Sequence, residues 1–78
     1  MNAMTDMEKL QRIFTQICPD ADADSDSLVD DELIDSLDLV SLVAEIMDEF
    51  GVKIAVDDIT PENFNSLDAM LALIQRLK

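Results

Sequence analysis

From Leu37 to Phe50 every residue is apolar except Asp38, Ser41, Glu45, Asp48 and Glu49. At about 100° per residue these five fall in one polar arc of roughly 100°, which is helical patterning. The apolar arc left over is wider than a helix needs for a single face against a small core. Asp35 suits an N-cap and Gly51 stands just past the last periodic residue, so the pattern predicts a helix from about Ser36 to Phe50. Leu37, Val40 and Ala44 lie on one flank of its apolar arc. Two readings stand for them: neighbouring helices cover all three, or they stay exposed beside the acids and meet a partner.

The rest of the chain supplies partners for that helix. Thr5-Asp6-Met7-Glu8 has the form of a capping box, and Met7, Leu10, Ile13, Phe14 and Ile17 then recur at helical spacing until Cys18-Pro19. This is a first helix of about three turns. Thr60-Pro61-Glu62 fits an N-cap followed by proline at the first helical position, giving a short helical turn through Phe64. Asn65 or Ser66 then caps a last helix whose expected buried stripe is Leu67, Met70, Leu71, Ile74 and Leu77, with Arg76 and Lys78 suiting its C-terminal dipole. Val52 to Val56 alternates like a strand but has no second strand to pair with, and reads as an extended connection. The fold expected is all-α: a small four-helix bundle of three main helices and one short one, in a single domain over residues 1–78.

The connection between the first two helices is long. From Pro19 to about Asp35 it is acidic, with Leu28, Val29, Leu33 and Ile34 as its large apolar residues, and it reads as a loop pinned to the core by those four. Asp20, Asp22, Asp24 and Asp26 have the spacing of calcium ligands. Ser25 stands where an EF-hand loop needs glycine and Asp31 where it needs glutamate, so no dedicated calcium site is expected.

Composition narrows the chemistry. The 78 residues include no His, no Trp, no Tyr and a lone Cys18, which removes most metal sites and most His-based acid/base catalysis. Cys18, with no activating base beside it, reads as a small buried hydrophobe. The net charge is −13, and its distribution says more than its size. Fifteen acids lie between Asp20 and Glu62 against one base, Lys53. Such a surface repels phosphate backbones and anionic headgroups, so neither nucleic acid nor membrane is an expected partner. The start, MNAMTDMEKL, lacks a basic segment followed by an apolar one, and no apolar run reaches the length of a membrane span. The expectation is a cytoplasmic, monomeric protein that attracts proteins with basic patches.

Asp35-Ser36-Leu37-Asp38 sits at the mouth of the acidic helix. With no His or Lys beside it, Ser36 is a poor nucleophile for catalysis by the chain itself. As a hydroxyl that another enzyme modifies it needs no such machinery. Two other serines have related settings, Asp26-Ser27-Leu28 and Asn65-Ser66-Leu67-Asp68. Ser66 is better explained as a structural cap and Ser27 as a turn residue. Capping is also the structural alternative for Ser36.

Residues Leu33 to Ile54, LIDSLDLVSLVAEIMDEFGVKI, resemble the central segment of acyl carrier proteins. The resemblance implies a free-standing carrier, not an enzyme, in which a phosphopantetheinyl transferase moves 4′-phosphopantetheine from coenzyme A to Ser36. The thiol of the arm would hold acyl groups as thioesters in fatty-acid or related acyl biosynthesis. It further implies that Asp35, Leu37, Asp38, Val40, Ala44, Glu45, Asp48 and Glu49 contact the basic docking patches of the transferase and of acyl- or aminoacyl-loading and processing enzymes. Ile46, Phe50, Ile54 and Ile59 read either as an acyl-chain lining or as ordinary core. Leu33-Ile34 ahead of the motif and Thr-Pro-Glu-Asn-Phe-Asn-Ser-Leu near the C-terminus look more like dedicated carriers, D-alanyl carriers among them. A non-covalent acidic adaptor, with Ser36 merely a cap, is the alternative from a different class.

Overall fold

The computed structural model describes residues 4–78. Among them are the helices α1 Asp6–Ile17, α2 Ser36–Phe50, α3 Pro61–Phe64 and α4 Leu67–Leu77, with a 3-10 turn at Val56–Asp58 ahead of α3. The bundle is held chiefly by α1, which packs against both α2 and α4, while α3 lies on α4. Phe14, Phe64, Leu10, Leu42, Ile46, Met70 and Ile74 close its centre almost completely to solvent. Ile54 is buried as well, and Phe50 and Ile59 pack half-buried against the same core.

Local sequence accounts for the helix ends. At α1 the Thr5 amide donates to Glu8 Oε1 at 2.9 Å and the Glu8 amide donates to Thr5 Oγ1 at 3.1 Å, completing the capping box. The Thr5 backbone amide foremost, and the Thr5 side chain after it, hold the Glu8 carboxyl below its ordinary range. Gly51 ends α2 in the left-handed region, at φ 65°, which a residue without Cβ adopts at least cost. The described residues include no strand. Val52 and Ile54 nonetheless turn inward while Lys53 and Ala55 face solvent, so the alternation in this stretch reflects an extended chain lying on the core with one face.

Two expectations about burial need correction. In α4 the buried residues are Leu67, Met70, Leu73 and Ile74, with Leu71 and Leu77 only partly covered. At about 100° per residue Leu73 lies on the Met70 side, and the helix is rolled that way, leaving Leu71 at the edge of the face. In the long loop Leu28 and Ile34 are buried and Val29 is partly covered, whereas Leu33 is 40% exposed. Leu33 and Ile34 are adjacent in a non-helical segment, where successive side chains point to opposite sides, and Ile34 takes the inward place. Ala21 and Ala23, too small to stand out in the sequence, also pack against the core. The alternating Asp20, Asp22, Asp24 and Asp26 are the solvent-facing half of that contact.

One side chain ties the loop down. Asn65 Oδ1 accepts from the amides of Val29 and Asp30, both at 3.0 Å, and its Nδ2 donates to Asp30 Oδ2 at 3.1 Å. Its carbonyl accepts from the Leu28 amide at 2.8 Å. Replacing it with alanine leaves two loop amides without their acceptor. Asn65→Ala is therefore expected to destabilise the fold by about 1–3 kcal/mol, read as a lower urea midpoint. An unchanged midpoint would mean that water replaces these bonds at no cost.

Cys18, 6% exposed at the end of α1, lies where the loop leaves the bundle. Burial foremost, and then the negative charge and hydrogen bonding of Asp38 with the charge of Asp35, push its thiol up to about 11 from an ordinary 9.0. The folded protein thus keeps a proton that the unfolded chain gives up first. The contribution is intact below pH 9.0 and declines as pH rises toward about 11. The stability difference between wild type and Cys18→Ala should shrink across that interval in urea melts. A constant difference would place the thiol in contact with water.

Candidate functional site

The three serines have different structural duties. Ser66 is half-buried and its Oγ accepts from the Ala69 amide at 3.0 Å, so it caps α4. Ser27, also half-buried, accepts from the Asp31 amide at 2.8 Å through its carbonyl and donates its own amide to Ser25 Oγ at 3.0 Å. Ser66 thus spends its hydroxyl on the start of α4, whereas Ser27 holds the loop through its backbone groups and is half-buried there. Ser36 is exposed, and it is the first residue of α2, not its cap.

The cap belongs to Asp35, whose Oδ1 accepts from the Asp38 amide at 2.8 Å. Losing such a cap typically costs about 0.5–2 kcal/mol. With that duty assigned, the Ser36 hydroxyl stands at the start of the helix next to the first-turn amides, at the positive end of the helix dipole. Capping, the structural alternative for Ser36 in the sequence, is filled by its neighbour.

Beside Ser36 lies an open groove of about 490 Å³ lined by Val29, Glu32, Ile34, Asp35, Ser36 and Leu39. Val29 and Ile34 come from the loop that Asn65 and Leu28 secure. Glu32 adopts the left-handed region at φ 58°, and the turn around it carries the amides of Leu33 and Ile34 back to the Leu28 carbonyl, at 2.9 and 3.2 Å. The groove thus has apolar walls and two carboxylates near one exposed hydroxyl. Of this set the sequence points only to Asp35 and Ser36 as site residues. Leu39, three residues beyond Ser36 on the same helix, is the one further member that helical spacing points to; Val29, Glu32 and Ile34 come from the loop.

The other predicted residues continue along α2. Leu37 is 77% and Val40 65% exposed, and Ala44, Glu45, Asp48 and Glu49 are exposed as well. Asp38 is half-buried, turned partly toward Cys18. Neighbouring helices therefore do not cover the apolar flank. Leu37 and Val40 lie open on the same helix as the acids, within the first turns after Ser36.

The sequence matches the family described as phosphopantetheine attachment site over residues 8–74. Comparison with curated proteins and with solved structures found no match. The residues present fit a group of that kind: an exposed hydroxyl outside the cap, helix amides able to face a phosphate, and an adjoining groove with apolar walls. When bound, the group supplies a thiol that can hold cargo as a thioester. The match runs from the first turn of α1 to Ile74 in α4 and takes in most of the helical framework, so the chain belongs to the phosphopantetheine-attachment family, whose members carry a covalently attached 4′-phosphopantetheine.

Proposed function

We propose that Ser36 is the attachment point for 4′-phosphopantetheine and that the protein presents acyl groups as thioesters to successive partner enzymes, in fatty-acid or related acyl biosynthesis. The observation that supports this is the division of labour at the start of α2, where Asp35 holds the Asp38 amide and Ser36 stays exposed. In the attachment step a bond forms between Ser36 Oγ and the phosphorus next to pantetheine in coenzyme A. The phosphoanhydride bond breaks, and adenosine 3′,5′-bisphosphate leaves. The hydroxyl proton passes to a base of the phosphopantetheinyl transferase, since this chain has no histidine to receive it.

The carrier acts as a monomer in the cytoplasm, and its partners grip it close to the attachment point. Asp35, Leu37, Asp38, Val40, Ala44, Glu45, Asp48 and Glu49 form the docking surface, the acids meeting basic patches and the apolar residues adding small dry contacts. Such contacts are weak and fast to release, as one carrier visiting several enzymes requires. Leu33-Ile34 before the motif and the segment Thr60 to Leu67 support the alternative reading, in which the cargo is an aminoacyl group such as D-alanyl in place of an acyl group.

Expression with a transferase and coenzyme A should add the mass of one arm to wild type, Ser27→Ala and Ser66→Ala but none to Ser36→Ala, by intact-mass measurement. Modification of Ser36→Ala would remove the proposed site, and an unmodified wild type would return the protein to the non-covalent acidic adaptor reading. Each exposed charge pair contributes only about 0.2–1 kcal/mol, so docking is tested by paired reversals. Asp38→Lys with Glu45→Lys is expected to slow arm attachment and cargo loading at unchanged helical circular dichroism. Asp22→Lys with Asp24→Lys should slow them less. Equal slowing would mean that partners respond to total charge alone.

A further inference from the structure

The acidic stripe of α2 changes character along its length. Near Ser36 it borders exposed apolar residues. Farther on, Glu45 and Glu49 share a second open groove of about 500 Å³ with Lys9 and Arg12 of α1, lined also by Met4, Ile13 and Gln16. Glu45 and Glu49 lie roughly 14 and 20 Å along the helix from Ser36, at 1.5 Å per residue. Two of the chain's five basic residues are thus placed beside acids of the helix.

These opposite charges line one groove without joining. Among the described residues the ion pair formed is Lys78 with Asp6, so neither Lys9 nor Arg12 reaches a glutamate of α2 across it. Arg12, Glu45 and Glu49 are exposed and Lys9 is half-buried. A partner that is basic throughout gains at Glu45 and Glu49 but is repelled at Lys9 and Arg12. A partner with basic groups on one edge and acidic groups on the other is attracted at both. The remaining acids attract any cation from afar, but screening over about 8 Å at physiological ionic strength leaves close selection to the charges in the groove itself. Lys9 and Arg12 on α1 and Glu45 and Glu49 on α2 form two rows of charge, each about one helical turn long, and a helix lying along the groove repeats its own side chains at that same interval.

We propose that the α1/α2 groove docks a helix of a partner protein that carries lysine or arginine along one edge and aspartate or glutamate along the other, with Lys9 and Arg12 rejecting partners that are basic throughout. The proposal rests on the carrier reading and extends its docking surface onto α1. It separates partners that work at Ser36 from those that hold the protein farther along. A transferase gripping α2 meets Glu45 from the α2 side and has no need of Lys9 and Arg12.

The test uses two synthetic helical peptides with the same apolar stripe, one with lysines on one edge and glutamates on the other, one with lysines on both. In nuclear magnetic resonance titrations the mixed peptide should shift the amides of residues 9–16 and 45–49 together. Lys9→Glu with Arg12→Glu should weaken it about two- to twentyfold, as expected for two exposed pairs, and tighten the all-lysine peptide. Failure of the mixed peptide to bind, shifts confined to α2, or the same response of both peptides to the double variant would overturn the proposal. The gain of one arm mass, measured in parallel on wild type and on this variant, tests the carrier reading separately. Loss of that gain in wild type with the peptide pattern intact would overturn the attachment reading and leave the groove assignment standing.

Discussion

The contact between Leu28 and Asn65 determines where the start of α2 lies. The loop between α1 and α2 has no secondary structure of its own to fix it, and ordering a backbone costs about 1–2 kcal/mol per residue. Complete burial of Leu28 offsets about 1.5–3 kcal/mol of that. The hydrogen bonds that Asn65 makes to the amides of Val29 and Asp30 decide which way the chain then turns. Because Asn65 joins α3 to α4, the loop is fixed to the far end of the chain, and the groove wall beside Ser36 depends on a residue twenty-nine positions later in the sequence.

The start of α2 is arranged so that one residue holds the helix and its neighbour is left free. Asp35 accepts the amide hydrogen bond that serine accepts at α4, and a carboxylate suits the positive helix end better than a hydroxyl does. A serine that caps must keep its oxygen turned to the backbone. One at the first helical position has no such obligation. The same tetrapeptide setting therefore gives a structural residue at Ser66 and an available hydroxyl at Ser36, and the difference lies in which residue takes the cap.

Much of this was legible in the sequence where the signal is local. The capping box of α1, the glycine end of α2 and the proline start of α3 each rest on a few adjacent residues whose chemistry admits few alternatives. The placement of Ser36 followed from the same kind of signal. What was missed depends on contacts between distant segments. The pattern does not place Leu73 on the α4 face because the roll of a helix is set by its neighbours, and the Leu33-Ile34 pair does not reveal which member faces the core. Asn65 read as one of two cap candidates, and nothing near it in sequence points to the loop that it binds. The groove beside Ser36 combines loop and helix residues and is visible only after folding.

The exposed apolar residues of α2 bear on function through their cost. Leaving a large aliphatic side chain in water forgoes about 1.5–3 kcal/mol relative to burying it, and a 78-residue chain has a thin core with which to offset that. Leu37 at 77% and Val40 at 65% exposure nevertheless stand one helical turn apart. A pair so placed would invite association between copies. The charge of −13 opposes this by mutual repulsion. In the proposed carrier the two properties belong together: the apolar residues give a partner something to hold, and the surrounding charge restricts which surfaces come close enough to hold it.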